Sequence, residues 1–230
     1  MDWLSLLFPK KCINCGKWGG YVCDKCQVGL WEEEQICPNC RRNSRYGLRH
    51  MYCKEPYGLD GLICLWAYEG VAMKIIKKAK YRFYYDFLGE LSVNSSQLSV
   101  RPEFSYFLKF LESKPMVIPV PLHLARERER GFNQAEMIGR SLASRHSLSF
   151  DSHLLERTRD TGHQTGRTRE ERLEAVKNTF ALPTMPKMPS MPENVLLVDD
   201  VWTTGATLSE CCKILKQNGA KTIWGLVLAR

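Results

Sequence analysis

The chain has 230 residues, 44% of them hydrophobic, and a formal charge of +8. That apolar content excludes a disordered chain, and no run approaches the ~20 apolar residues of a membrane-spanning helix. The positive balance favours an anionic partner, either nucleic acid or a phosphorylated ligand.

The opening segment, MDWLSLLFPKKC, carries a short apolar run. It lacks the basic leader and small-residue cleavage site of a signal peptide. It reads as a short helix packed on the fold, or as an anchor for the cysteine-rich segment after it. Seven of the ten cysteines fall between residues 12 and 53, mostly in C-x-x-C spacing. Without an export signal this pattern reads as metal ligation in a reducing compartment, which points to the cytoplasm. Cys12, Cys15, Cys23 and Cys26 make one candidate ligand set, and Cys37, Cys40, His50 and Cys53 another. Zinc takes four S or N ligands in a tetrahedron, and each short knuckle fixes two of them. Interleaved pairing, in which the first and third knuckles share an ion, is also compatible with the spacing. Gly16 follows the first knuckle, where backbone N–H groups can bond the sulfurs. Two zinc ions are expected, both structural because no ligand position is open. The other three cysteines, Cys64, Cys211 and Cys212, read as packed thiols. Residues 1–56 are too short to bury a sufficient core alone, so a metal staple makes sense there. Residues 57–230 form the second predicted domain.

Residues 54–60, KEPYGLD, read as a linker into the strand GLICLWAY. Residues 71–92 follow a helical period, with Ile75, Ile76 and Ala79 inward. Lys74, Lys77, Lys78, Lys80 and Arg82 form a basic cluster there, interleaved with Tyr81, Phe83, Tyr84 and Tyr85. Cations beside stacking rings suit single-stranded DNA; the alternative is that the rings belong to the core. A helix is predicted over 104–112, a buried strand over 116–122 and a helix over 132–146, whose Ala135, Ile138, Leu142 and Ala143 share one face. Between them Arg126, Arg128 and Arg130 alternate with Glu127 and Glu129. These are either a self-paired charge run or, for Arg130 beside Gly131, a phosphate-facing arginine. The polar stretch 157–172 reads as a loop that closes over a ligand, with Gln164, Thr165, Arg169 and Arg172 as contacts. His163 is an acid/base candidate by position only. Residues 181–194 have a proline every third position from Pro183 to Pro192, which suits an extended connector. A strand at 194–200, a helix at 206–217 and a last strand, TIWGLVLAR, complete an alternating order. That order implies an α/β fold with a mainly parallel sheet flanked by helices.

Residues 195–208 carry the strongest chemical signal. An apolar strand, Val195 to Val198, delivers Asp199 and Asp200 to its carboxyl end, where open α/β sheets bind ligands. Thr203, Thr204, Gly205, Ala206 and Thr207 lead into a helix whose amino end suits a phosphate. The adjacent carboxylates suit sugar hydroxyls, or a divalent cation through water. The segment resembles the phosphoribosyl-pyrophosphate loop of type I phosphoribosyltransferases. The resemblance implies that Asp199 and Asp200 hold the ribose hydroxyls and serve catalysis, while Thr203, Thr204, Gly205, Ala206 and Thr207 hold the 5-phosphate. It also implies Mg²⁺ on the pyrophosphate and a ribosyl transition state of oxocarbenium character.

Two further blocks narrow the resemblance. VIPVPLHLARERERGFNQAEMI at 117–138 and QTGRTREERLEAVKNTF at 164–180 are similar to the ComF family of competence-related phosphoribosyltransferase-like proteins. With the phosphate loop and the cysteine-rich start, the likeness covers essentially the whole chain. It implies a double zinc ribbon before a type I phosphoribosyltransferase fold. It further implies phosphoribosyl pyrophosphate as ligand, Arg130 toward the pyrophosphate, and a part in DNA uptake with single-stranded DNA and competence machinery proteins as partners. The fourth ligand pair of the family is usually two cysteines, and His50 departs from that. The other reading of the same residues is an active phosphoribosyltransferase of nucleotide salvage with an unidentified acceptor.

Overall fold

A computed structural model describes residues 10–53, 55–79, 101–160, 168–184 and 190–230. In chain order the elements are α1 (Asp24–Gln27), β1 (Gly61–Trp66), α2 (Gly70–Lys78), α3 (Ser105–Glu112), β2 (Met116–Pro119), α4 (Leu124–Arg130), α5 (Gln134–His146), β3 (Glu156–Arg157), α6 (Arg169–Val176), β4 (Phe180–Ala181), β5 (Asn194–Val201), α7 (Ala206–Gln217) and β6 (Thr222–Ala229). Lys80, Tyr81, Arg82, Phe83, Tyr84, Tyr85, His163, Gln164 and Thr165 lie outside the described residues, as does the opening segment 1–9.

Four strands pair in parallel in the order β1-β6-β5-β2. Each reads as a near-continuous apolar run because helices cover both faces. Leu196, Val198, Trp224, Leu226 and Leu228 pack on one face against Ala72 and Ile76 of α2, Phe107 and Phe110 of α3, and Ile138 and Leu142 of α5. Val195, Leu197, Ile223 and Val227 pack on the other against Leu208, Cys211, Cys212 and Leu215 of α7. The packed-thiol reading of Cys64, Cys211 and Cys212 fits their zero exposure.

Two elements differ from the sequence reading. The Arg/Glu run is a helix of its own, α4. Gly131 ends it at φ 82°, and Asn133 caps α5 by accepting from the Ala135 N–H at 3.0 Å. The stretch 157–172 is only partly loop: β3 pairs with β4, and Thr168 opens α6 with a reciprocal bond pair to Glu171. A Thr/Glu pair at that spacing satisfies two amide donors that a helix start leaves free.

The expected linker is docked on the sheet. Leu59 is 1% exposed. The Asp60 N–H donates to the Ile223 carbonyl and the Asp60 carboxylate accepts from the Ile223 N–H. Beside it the N-terminal unit covers the outer edge of β1. Ala67 N–H donates to Trp31 O, Leu62 N–H to Gly47 O, and Leu48 bridges Gly61. The Gln35 side chain acts as a further rung: its amide donates to Cys64 O at 2.8 Å and its carbonyl accepts from Cys64 N–H at 2.9 Å. A bare strand edge invites pairing with other chains, and this one is closed. Gln35→Leu strands two buried backbone groups, each costing about 1–3 kcal/mol. A urea midpoint lowered by that loss divided by the slope, with the slope itself unchanged, is the expected result.

Candidate functional site

The N-terminal ligands gather as two sequential sets, not interleaved ones. Cys12, Cys15, Cys23 and Cys26 form one cluster and Cys37, Cys40, His50 and Cys53 the other; within each, all ligand atoms lie within 4.8 Å of one another. Tetrahedral zinc with ~2.3 Å bonds to sulfur requires ligands about 3.8 Å apart. Cys15 and Cys23 sulfurs are 3.6 Å apart, and Cys37 and Cys53 sulfurs 3.8 Å. His50 joins the second set: its Nδ1 lies 3.2 Å from Cys40 Sγ, while its Nε2 lies 3.1 Å from the Asn43 carbonyl. An Nε2–H donated to that carbonyl leaves Nδ1 unprotonated and able to bind metal, with the Tyr52 hydroxyl also 3.0 Å from it. Burial pushes the Cys12 thiol up, but the backbone N–H groups of Cys23, Cys15 and Asn14 outweigh it and hold the thiol at about 6. Asn14 pulls Cys26 down, yet burial and the other three sulfurs drive it up to about 12. Four crowded sulfurs cannot all ionise without a balancing cation, and a dication suits both sets.

The first and third knuckles are built alike. Gly16 donates its N–H to Cys12 O at φ 78°, and Arg41 donates to Cys37 O at φ 62°. Lys74 reaches Asn14 Oδ1 at 3.1 Å and Lys78 reaches Ile13 O at 2.7 Å. Two members of the basic cluster therefore hold the first metal unit on α2, around a small core of Ile13 and Ile75. The third, Lys77, faces elsewhere.

A cavity of about 460 Å³ opens at the carboxyl ends of the strands. Asp199, Asp200, Thr203, Thr207, Arg130 and Lys77 line it, together with Tyr68, Arg126, Asn133, Gln134 and Arg157. Thr204, Gly205 and Ala206 form the turn behind. Thr204 Oγ1 accepts from the Ala206 N–H at 3.3 Å. Gly205 sits at φ 76°, and a Cβ there would meet the buried Trp202 ring at 2.3 Å. The glycine is thus required by its conformation and by Trp202, a reason the motif alone does not reveal.

β5 runs through Val201, so both aspartates are strand residues. Successive strand side chains point to opposite sides. The charge of Asp199 is felt by Cys211 and Arg157, and that of Asp200 by Tyr68. The pair straddles the sheet end. Burial first, and the Asp200 charge second, push the Asp199 carboxyl well above the usual carboxylate range; the Asp200 N–H at 2.8 Å and Arg157 oppose this only in part. Burial likewise lowers Arg157, helped by the nearby Arg126. Arg126 pairs with Asp160 at 3.2 Å.

Comparison with known proteins adds lineage to this geometry. A double zinc ribbon domain model matches residues 3–56. Competence protein ComFC of Streptococcus pneumoniae is 30% identical over 205 residues, spanning 86% of this chain and 81% of its own. The chain belongs to the ComF family. Competence protein F of Haemophilus influenzae is 28% identical over 233 residues, covering 96% of this chain and 98% of its own. DNA utilization protein YhgH of Escherichia coli is 26% identical over 235 residues, covering 98% and 99%. This ComF-family chain has no helix, among the described residues, long and apolar enough to cross a membrane.

Sequence reading missed Tyr68, Asn133, Gln134 and Arg157. Tyr68 follows the edge strand β1 and is fixed by its N–H to the Arg230 carbonyl at 2.7 Å. Arg157 comes from a two-residue strand with no period to find. Asn133 and Gln134 were visible only as part of a matching block.

Proposed function

We propose that this protein binds phosphoribosyl pyrophosphate in the cavity at the end of β5, and that the bound form acts in the handling of DNA during uptake. The observation that carries the reading is the division of charge in one cavity. Two carboxylates face four cations, Lys77, Arg126, Arg130 and Arg157, with threonine hydroxyls and the amino end of α7 between them. Carboxylates accept hydrogen bonds from sugar hydroxyls, whereas hydroxyls, helix amides and guanidinium forks hold phosphate. A ribose carrying phosphate at one end and pyrophosphate at the other has that pattern. Asp199 and Asp200 would hold the ribose, Thr203 to Thr207 the 5-phosphate, and Arg130 with Arg126 the pyrophosphate. Mg²⁺, carried in on the pyrophosphate, neutralises that group when bound. The names of the relatives, competence protein and DNA utilization protein, support DNA uptake as the process.

Turnover is the second reading, favoured by Asp199. A partly buried carboxylate beside another costs stability, and anion binding alone does not need it. An anionic pair under the ribose would stabilise positive charge developing at C1.

Phosphoribosyl pyrophosphate at about a hundred times its Kd would stabilise the fold by roughly 2.7 kcal/mol, a melting shift of about 5–10 °C for a chain of this length. Asp200→Asn and Thr207→Val should show no such shift. An unshifted parent rejects the site. Pyrophosphate release over a panel of bases and amines separates transfer from binding. Oligonucleotide affinity should fall steeply with salt; no binding at low salt ends the DNA part of the proposal.

A further inference from the structure

The amino end of α5 lines the cavity beside Arg126 and Arg130, two of the three arginines of α4. Asn133 caps it there, using Oδ1 on the Ala135 N–H and Nδ2 on the Val120 carbonyl at 3.0 Å. Gln134, the first helical residue, lines the cavity yet is only 3% exposed. Its carbonyl accepts from Arg130 Nη1 at 3.2 Å. That donor fixes which end of the amide is oxygen. The other end, Nε2, is enclosed and finds no acceptor among the described residues. A buried amide N–H₂ without a partner is costly and calls for an explanation, and here the atom belongs to a residue that lines the cavity.

We propose that Gln134 is a ligand-binding residue whose side-chain amide donates to an oxygen of a pyrophosphate group held at the amino end of α5. This rests on the cavity being a phosphoribosyl pyrophosphate site and adds to it the residue that recognises the leaving end of the ligand. Two features favour an anionic oxygen over a neutral one. The helix end contributes partial positive charge, and Arg126 and Arg130 line the same cavity. Because Nε2 is screened by its surroundings, the incoming oxygen must enter the wall itself. It does so by drawing Arg130 off the Gln134 carbonyl and onto the anion, which uncovers the amide. Arg130 and Gln134 thus hold each other in the free protein and both turn to the ligand on binding.

A residue whose donor is idle until ligand arrives gives a divided signature. Gln134→Leu removes the unpartnered donor, so the free protein should melt a few degrees higher. The same variant should bind inorganic pyrophosphate and phosphoribosyl pyrophosphate roughly tenfold or more weakly. Ribose 5-phosphate, which lacks the pyrophosphate, should bind as it does to the parent. Gln134→Glu keeps the shape and the Arg130 contact but sets a negative charge against the anion; it should stay folded and lose more affinity than the leucine variant. A side chain satisfied only by water would leave pyrophosphate affinity unchanged in both variants, and that result overturns the proposal. Equal losses for ribose 5-phosphate and pyrophosphate also overturn it, since they place Gln134 at the wrong end. Inorganic pyrophosphate decides the Gln134 assignment by itself. A parent that binds pyrophosphate but not phosphoribosyl pyrophosphate rejects the ribose site and leaves this assignment standing.

Discussion

Asp199→Asn is expected to melt higher than the parent at neutral pH and to lose its ligand. The sign follows from the raised carboxyl. In the folded chain Asp199 prefers its proton because burial and then the Asp200 charge oppose ionisation. The contribution of a group raised in this way is fully present below the ordinary aspartate range of about 4. It is lost as pH rises through the elevated folded value, because the native state binds more protons than the unfolded chain across that window. At neutral pH the unfolded chain has its aspartate ionised, so keeping Asp199 in the folded chain is a cost, and the amide relieves it. Each kcal/mol relieved raises the melting temperature by roughly 2–4 °C for a chain of this length. The gain should shrink as pH falls toward 4. A melting temperature that drops at pH 7, or a gain independent of pH, contradicts the electrostatic account of the pair. Stabilisation with loss of ligand is the expected mark of a functional carboxylate held at a cost.

Cys37→Ser should damage the protein far more than Cys12→Ser, although each removes one ligand from one metal set. Cys37 is fully buried, and its neighbours are part of the main fold: Ile36 packs in the core beside Leu62 and Leu197, and Gln35 closes the edge of β1 at Cys64. Among the described residues, the first set rests on α2, through Ile13 on Ile75 and two lysine bonds. Structural zinc contributes about 10–16 kcal/mol in isolated fingers, so losing it releases whatever the ligands organise. Cys37→Ser uncovers the β1 edge and should lower the melting temperature by roughly 10 °C or more, with aggregation from the exposed strand. Cys12→Ser should lower it by a smaller amount and remain monodisperse. Elemental analysis should give close to two zinc ions for the parent and one for each variant. Equal melting temperatures for the two variants would contradict this division of labour.

The contrast between these two results shows what a sequence can display. The strand, the paired acids and the turn into α7 are contiguous, so their arrangement was readable at 195–208. Apolar spacing likewise placed Ala135, Ile138, Leu142 and Ala143 on the buried side of α5. Contacts between distant segments were not readable. Near-even spacing of the cysteine pairs left two ligand pairings open, and only the chain path between Cys26 and Cys37 separates them. Lys74, Lys77, Lys78, Lys80 and Arg82 looked like one basic surface, and the first three are among the described residues. A helix turns each residue by about 100°, and Lys74 and Lys78 hold the metal unit while Lys77 reaches the cavity. Arg157 and Tyr68 enter the site from short or terminal positions whose neighbours carry no pattern. Gln134 looked like an ordinary polar start to a helix, and its idle donor exists only once Arg130 is folded against it.

The cavity at the end of β5 is the phosphoribosyl pyrophosphate site we propose. Isothermal titration of this ligand with Mg²⁺ into the parent and into Asp200→Asn tests it most directly. One site per chain is expected in the parent and no measurable heat of binding in the variant, with both proteins folded. Equal affinity in the two proteins, or no binding to either, would contradict it.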